Sequence, residues 1–164
     1  MNRHVLEMIL FVLGVMSCSI AVAQEKFWRE LWEAEAPMWD DIPFSTPTPH
    51  WPYDRFKKMA ALNPQILRDL SLVAYAGDTI AGYTLTGASH PNDGDTYMTG
   101  VAREYRGRGI AMALKVDVLA RAKANGLRAM KTVNDEPNKA MRGINATLGY
   151  QTLPAHVQLE KKLG

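Results

Sequence analysis

The chain has 164 residues, of which 47% are hydrophobic and 22% charged, a composition typical of a globular domain that can bury a core. The formal net charge of +2 excludes the strongly basic field of a nucleic-acid-binding surface. Cys18 is the only cysteine, which excludes an internal disulfide and a cysteine metal cluster. The histidines lack metal-ligand spacing and are interpreted as surface or capping residues: His4, His50, His90 and His156.

The first 24 residues allow two interpretations. Residues 8–23 are nearly all apolar or small and end in Ala21-Val22-Ala23-Gln24, as in a cleaved export signal. However, Glu7 lies where a signal would carry positive charge, and the run is too short for a comfortable membrane span. The alternative is that Ser17–Ala23 is the first strand of a sheet, preceded by an extension. We favour this structural segment, followed by one domain over residues 25–164.

The next part of the chain predicts a helix and then a long loop. Glu25–Ala36 has apolar residues spaced by four along two adjoining stripes, Phe27 with Leu31 and Trp28 with Trp32. Five prolines between Pro37 and Pro52 break this pattern and predict a loop with extended stretches.

The middle of the chain predicts a second helix and three antiparallel strands. The helix is Tyr53–Leu62 and ends before Asn63-Pro64. Gly77-Asp78 separates two strand-like runs, which is a hairpin signal. The predicted strands are Leu70–Ala76, Thr79–Leu85 and Asp95–Val101, and Ser89–Gly94 is predicted to be a loop.

The last third predicts helix, strand, helix and two short strands. The first helix has apolar residues every four positions (Ile110, Leu114, Val118 and Ala122) and ends at Asn125-Gly126. Leu127–Val133 is strand-like, and the second helix begins at Pro137 and closes at Gly149. The final strands are Tyr150–Leu153 and His156–Glu160. This order predicts an α+β fold with a mixed, mostly antiparallel sheet.

The most informative motif is the Gly-rich turn Arg106-Gly107-Arg108-Gly109-Ile110-Ala111, between a predicted strand and a predicted helix. Glycines let a ligand approach the backbone, and the first amides of a helix lack intrahelical partners. The helix dipole and the two arginines add positive charge, so the turn predicts a phosphate cradle. Met112 stands where the dinucleotide fingerprint requires a third glycine, which excludes that motif. The P-loop is excluded because its Gly-Lys-Ser/Thr is missing.

Arg106, Gly109 and Ala111 meet the pattern Arg/Gln-x-x-Gly-x-Gly/Ala, and the passage from Val101 to Ala111 resembles the acetyl-CoA loop of the GNAT N-acetyltransferase superfamily. The segment from Thr132 through Asn138 to Leu148-Gly149-Tyr150 resembles the second cofactor segment of that family, and the likeness covers roughly residues 25–162. The resemblance implies a central sheet with helices on both faces. It also implies that Tyr97–Val101 and Leu127–Val133 splay apart and hold acetyl-CoA between them.

The resemblance implies that acetyl-CoA is the cosubstrate, with its diphosphate on the amides of the turn and its pantetheine arm beside Val101. A backbone N–H near Val101 or Ala102 can polarise the thioester carbonyl. Asn134 and Asn138 either hydrogen-bond the arm or serve as turn and N-cap residues, and the family pattern favours the first role for Asn138. The implied cofactor-binding residues are Val101, Arg106, Gly107, Arg108, Gly109, Ile110, Ala111, Asn134 and Asn138.

Acyl transfer to an ammonium group needs a base, and Asp95 is the candidate. It shares strand parity with Tyr97, Thr99 and Val101, which predicts that these residues face one side. The alternative is that Asp95 is the solvated start of a strand. Many family members use a tyrosine as general acid where this chain has Asn145, which cannot donate a catalytic proton. With Asn at this position, the chain resembles a subset of the superfamily that also has Asn there.

In the family, the region of the proline-rich loop helps to form the acceptor site. Trp39, Phe44 and Trp51 either line such a pocket or cover the sheet. Asp40 and Asp41 either attract a cationic amine or are solvated surface acids.

These inferences predict a cytoplasmic enzyme that transfers an acetyl group from acetyl-CoA to an amine of a small molecule, such as an aminoglycoside or amino sugar. One alternative is an acyl-CoA-binding module without transfer activity, which Asn145 favours. Another is an exported protein with a different role, which the first 24 residues favour. We expect no metal, no nucleic acid and no stable membrane partner, and the final strands could pair across a homodimer.

Overall fold

The computed structural model describes residues 18–46, 48–154 and 161. The helices are α1 (Cys18–Asp40), α2 (Tyr53–Phe56), α3 (Ile110–Ala124) and α4 (Lys139–Thr147). The strands are β1 (Leu72–Ala76), β2 (Thr79–His90), β3 (Asp93–Val101) and β4 (Ala129–Thr132). They lie in the order β1-β2-β3-β4; the pairs β1-β2 and β2-β3 are antiparallel and β3-β4 is parallel. Among the described residues, no helix is both long and apolar enough to span a membrane.

Helices cover both faces of the sheet, as predicted for an α+β fold. On one face, α1 and the α2 region bury a cluster that includes Trp28, Leu31, Phe56 and Tyr83. On the other face, α3 buries Ile110, Leu114 and Val118 against Leu72, Ala74 and Ala81. The apolar residues that recur every four positions on α3 therefore face the core, as predicted.

Helix α1 is longer at both ends than predicted. Because Cys18–Ala23 are helical, the interpretation of Ser17–Ala23 as a strand is wrong for these residues, and Ser17 lies outside the described residues. At the other end, the buried Met38 continues the stripe that Leu31 begins, so the helix continues through Pro37 to Asp40. Side-chain packing outweighs the cost of the missing proline N–H here.

The turn-forming residues between β2 and β3 belong mostly to the strands. His90 pairs with Asp93, so only Pro91-Asn92 form the turn, and the predicted loop Ser89–Gly94 is wrong. Gly94 lies under β4, since a Cβ there would be 2.7 Å from the Met130 sulfur. Pairing with β4 therefore overrides the local preference for a loop.

The remaining elements follow the prediction except at the carboxyl end. Asn125 follows α3 directly, and Gly149 follows α4 with φ of 81°. The predicted helix Tyr53–Leu62 is α2 continued by a π-helical turn over Lys57–Ala61. Tyr150–Leu153, predicted as a strand, are not in one, and the predicted strand His156–Glu160 lies outside the described residues.

A β-bulge in β3 determines which helix layer each side chain faces. Leu85 pairs with Met98 while Thr86 pairs with Thr96, so Tyr97 is an extra residue on β3. Since Thr84 pairs with Thr99, residues 96 and 99 lie on the same face of the sheet.

The bulge changes the face assigned to Asp95. Val101 packs in the α3 cluster, and Thr99 shares its face. Asp95 therefore faces the α1 side, and the expectation that it shares a face with Thr99 and Val101 is wrong. Tyr97 accompanies Asp95, because its ring lies over Gly87, where a Cβ would be 2.4 Å from a ring carbon.

Glu35 is a buried acid between α1 and β2. It is 5% exposed, and its Oε2 lies 3.8 Å from His50 Nε2, too far for a hydrogen bond. Burial raises the pKa of Glu35 to about 7, and the neighbouring Tyr83 hydroxyl opposes this shift only in part. Burial also lowers the pKa of His50, against the opposing charge of Asp40. Burial therefore disfavours the charged form of both side chains, and Glu35 is about half protonated near pH 7.

We expect this burial to make folding pH-dependent. The pKa of Glu35 is about 7 in the folded protein against 4.5 for the ordinary side chain, so the folded state holds its proton more tightly. Ionisation of Glu35 therefore does not lower the free energy of unfolding below about pH 4.5. Between about pH 4.5 and pH 7 it lowers that free energy progressively, by about 3 kcal/mol in total. Urea unfolding at about pH 5 and about pH 8 measures this decline. Glu35→Gln should lose most of it, whereas Glu33→Gln, at an exposed position of the same helix, should retain it. An undiminished decline in Glu35→Gln would contradict the assignment.

Candidate functional site

The sheet opens between β3 and β4. The two strands pair only from Asp93 with Ala129 to Thr96 with Thr132, after which β4 ends and β3 continues to Val101. Among the described residues, no strand pairs with the β4-facing edge of Tyr97–Val101. The splayed strand pair that the family resemblance implies is therefore present, and Thr96 lies at its inner end.

The backbone of Val101 faces this opening. The N–H of Ala102 donates to the Ala81 carbonyl (3.0 Å), which makes Val101 and Gly82 a non-hydrogen-bonded pair of the antiparallel ladder. The N–H and C=O of Val101 consequently point away from β2 and into the opening. Val101 thus presents the backbone donor that the predicted thioester contact requires.

The turn after β3 forms an open cradle of backbone N–H groups. Gly107 and Gly109 have φ of 73° and 81°, a conformation that favours glycine, and a Cβ on either would meet no atom within 4 Å. The Ala113 N–H donates to the Gly109 carbonyl, so the amides of Ile110, Ala111 and Met112 precede the helical hydrogen bonds of α3. The first turn of α3 contains no acidic residue. Free amides, the helix dipole and open space together fit a phosphate group.

Arg106 reaches sideways from this cradle. Its Nε donates to the Val101 carbonyl (3.0 Å), and its Nη2 lies 2.7 Å from Asp41 Oδ2. Arg103 Nε donates to the same carboxylate oxygen of Asp41 (2.6 Å). The hydrogen bond from Arg103, and next that from Arg106, lowers the pKa of Asp41 to about 2. Asp41 is therefore neither a solvated surface acid nor a free site for an amine.

Arg108 stays beside the turn. Its Nη2 donates to the Glu104 carbonyl (3.0 Å), and its guanidinium carbon lies 5.3 Å from the centre of the Tyr105 ring. This side chain is exposed, which leaves its remaining N–H groups accessible to an anion at the cradle.

The asparagines of the second segment have local roles. Asn138 caps α4, since its Oδ1 accepts from the Met141 N–H (3.2 Å), which confirms the N-cap alternative. Asn134 follows β4, and its Oδ1 accepts from Asn145 Nδ2 (2.6 Å). Asn145 is 7% exposed, and its Oδ1 has no hydrogen-bond partner in the described part of the chain.

The burial of Lys115 was not predicted from the sequence. This α3 residue is 2% exposed, and its ammonium lies 5.3 Å from the centre of the Tyr150 ring. Burial lowers the pKa of Lys115 to about 8. The four-residue apolar repeat of α3 gives no signal for it, because a lysine is normally on the solvated face of such a helix.

The aromatic residues of the proline-rich loop cover α1. Trp32 Nε1 donates to the Trp51 carbonyl and Trp39 Nε1 to the Thr48 carbonyl, both at 2.8 Å. His50 stacks on Trp32 with ring centres 5.6 Å apart, so its interpretation as a surface or capping residue is wrong. Trp39 is part of α1, and Trp51 and His50 pack against this helix, whereas the expectation is that the aromatic residues line a pocket or cover the sheet.

The start of this loop crosses the opening of the sheet. Asp41 binds Arg103 and Arg106 on the β3 side, and the Ser45 N–H donates to Asp135 Oδ2 (2.8 Å) on the β4 side. We call Asp41–Ser45 the strap.

Asp95 lies below the bulge on the α1 side. It pairs with Gly87 of β2 and with Lys131 of β4, and it is half-buried. Asp95 is therefore inside the sheet, and its interpretation as a solvated strand start is wrong. The described residues contain no cluster of three or more His, Cys, Asp or Glu that could hold a metal ion.

The fold and the cradle agree with a known family. The profile of the acetyltransferase (GNAT) family matches residues 26–150 of this chain. The chain therefore belongs to the GNAT acetyltransferase family. The sequence has no match among curated proteins.

Solved acetyltransferase structures share the fold at low identity. An aminoglycoside acetyltransferase from an uncultured soil metagenomic sample, in complex with sisomicin, has 14% identity and a TM-score of 0.62 over 86% of this chain and 90% of that one. An aminoglycoside N-acetyltransferase in complex with CoA has 15% identity and a TM-score of 0.62 over 85% and 91%. The ribosomal-protein-S18-alanine N-acetyltransferase of Escherichia coli has 12% identity and a TM-score of 0.67 over 90% and 79%.

We expect Gly109→Glu to abolish the thermal stabilisation that CoA gives. The new carboxylate would occupy the space above the amides and repel an anion there. Gly126→Glu is the matched control, since Gly126 has φ of 77°, lies beyond the other end of α3 and has equally open space. Both variants should lose about 1–2 kcal/mol of stability through the unfavourable φ. A CoA-induced shift that survives in Gly109→Glu would argue against the cradle.

Proposed function

We propose that this protein transfers an acetyl group from acetyl-CoA to an amine of a small-molecule acceptor. The observation that carries the proposal is the row of free amides at the start of α3, directly beside the unpaired edge of β3. Such a pair of features fits a ligand with an anionic end and an amide-containing arm, because the arm can pair with the strand edge while the cradle binds the anion.

The residues present fit coenzyme A. The amides of Gly107–Ala111 would hold the diphosphate, with Arg106 and Arg108 adding positive charge. Val101 and Asn134 would contact the arm, as would Asn138 through the side-chain amide that its capping bond does not use. When bound, acetyl-CoA supplies an activated thioester, and the Val101 N–H stabilises negative charge on its carbonyl oxygen.

We propose Asp95 as the general base. It faces the α1 side and lies six residues before Val101 on β3, about 20 Å along the strand, so it would accept the proton of the acceptor ammonium through a chain of water molecules rather than directly. Asn145 cannot act as the acid, but a CoA thiol is acidic enough to leave without strong help. Asn145 also supports placing the protein with the subset of the superfamily that has Asn at this position.

The acceptor is proposed to be an amine on a sugar-like molecule, such as an aminoglycoside or amino sugar. Solved aminoglycoside acetyltransferases share this fold, while the S18-alanine acetyltransferase shows that the fold also serves protein substrates. We place the reaction in the cytoplasm, where acetyl-CoA is made. Export remains the alternative if residues 1–24 are removed, and a homodimer is compatible with the proposal.

A second candidate function is binding of acyl-CoA without transfer. The replacement of the usual acidic tyrosine by Asn145 favours it.

Two measurements separate these candidates. In thermal-shift assays, acetyl-CoA and CoA should raise the melting temperature, whereas ATP should change it little. Release of free CoA thiol in the presence of a panel of aminoglycosides, amino sugars and peptide amines then reports transfer. Binding without thiol release would favour the binding module, and equal shifts with ATP would contradict the proposal.

We expect Asp95→Asn to lower kcat/KM for the amine about a hundredfold, because a general base contributes at least this much. The CoA-induced thermal shift should not change, since Asp95 is not part of the cradle. Asp78→Asn, in the exposed turn between β1 and β2, is the control and should retain full activity. An Asp95→Asn enzyme with the wild-type pH profile and rate would exclude this role.

A further inference from the structure

We propose that Asp41 is a positioning residue for coenzyme A, although it belongs to the strap and not to the Gly-rich turn that forms the cradle. This inference rests on the proposed function, because it assumes that the turn binds CoA.

The contacts of Asp41 reach the edge of the opening. One of its carboxylate oxygens binds Arg103 Nε at 2.6 Å and Arg106 Nη2 at 2.7 Å, and the other binds Arg103 Nη2 at 2.5 Å. Arg106 in turn donates its Nε to the Val101 carbonyl at 3.0 Å. A chain of charge-assisted hydrogen bonds therefore runs from the end of α1 to the strand residue that faces the opening.

This network also connects the two ends of the segment of residues 103–106, which leads from β3 into the Gly-rich turn. Arg103 begins the 3₁₀ turn Arg103–Tyr105, and Arg106 directly precedes Gly107. By binding both arginines, Asp41 fixes the backbone segment from which the Gly107–Gly109 cradle continues. One carboxylate balances only one of the two guanidinium groups, so positive charge remains available to a diphosphate.

Two effects of Asp41 on CoA binding have opposite signs. As an anion near the cradle, the carboxylate repels a diphosphate, and its removal alone would tighten binding. As a brace, it holds Arg106 and the turn in place, and its removal would weaken binding. The bracing contacts are hydrogen bonds of 2.6 and 2.7 Å, a range at which salt screens little, whereas repulsion of a diphosphate acts over a longer distance through water and is screened, so we expect the bracing effect to dominate.

The test is CoA titration by calorimetry with wild type and variants. We expect Asp41→Asn to raise the Kd for CoA about fivefold, the effect of losing an interaction of about 1 kcal/mol. Asp40→Asn, at the exposed neighbouring position, should stay within about twofold of wild type. Asp41→Glu, which keeps the charge, should recover part of the affinity.

Arg103 provides a second, independent variant. Arg103→Gln should weaken CoA binding, and the loss in the double variant with Asp41→Asn should be smaller than the sum of the two single losses, because the two side chains share one network while Asp41 also binds Arg106. The melting temperature without ligand should change little, since exposed ion pairs contribute little stability.

The outcomes separate the two proposals. If the wild type binds CoA and Asp41→Asn binds it equally or more tightly, the positioning role is overturned and the proposed function stays intact. Additive losses in the double variant would also overturn the positioning role. Wild type that does not bind CoA would overturn the proposed function and this inference with it.

Discussion

The site depends on the loss of pairing between β3 and β4 after Thr96. A buried strand normally pairs on both edges, because unpaired backbone groups are costly away from water. Here β4 ends at Thr132 while β3 continues to Val101, which leaves backbone donors and acceptors along one edge. The cradle at the start of α3 lies at the end of that edge. A ligand that pairs with the strand and carries an anion satisfies both sets of groups at once.

The helix layers give the two sides of the sheet different chemistry. The α3 side is an apolar core against which the coenzyme turn is built. The α1 side carries Asp95, the ring of Tyr97 and the buried Glu35 with its neighbour His50. The bulge at Tyr97 separates the two sets, because it turns Asp95 away from the face of Thr99 and Val101. We therefore propose that the acceptor binds on the α1 side and the coenzyme at the strand edge.

Local patterns were sufficient to predict the cradle, whereas contacts between distant residues were not predictable. The glycines at 107 and 109, the apolar spacing of α3 and the glycines that follow α3 and α4 depend on neighbours within a few residues, and the structure agrees with these predictions. The start of α4 differs, since the helix begins at Lys139 and not at Pro137. The bulge depends on register with β2, and the partners of Asp41 lie more than sixty residues away. Residues 18–23 have no turn or breaker signal that distinguishes a helix from a strand, so an apolar run there was ambiguous.

Asn145 shows why a residue's chemistry must be judged together with its partners. As a substitute for a tyrosine acid it removes a proton donor, which favours a protein that only binds the coenzyme. In the structure, however, its Nδ2 is committed to Asn134, and this orients Oδ1, which is buried and has no partner among the described residues. A buried amide oxygen without a donor is costly unless a ligand supplies one. Coenzyme A carries such donors in its amide groups and its thiol, so we propose that Asn145 would accept a hydrogen bond from the bound coenzyme. The geometry is therefore compatible with transfer, which needs no strong acid when a thiolate leaves.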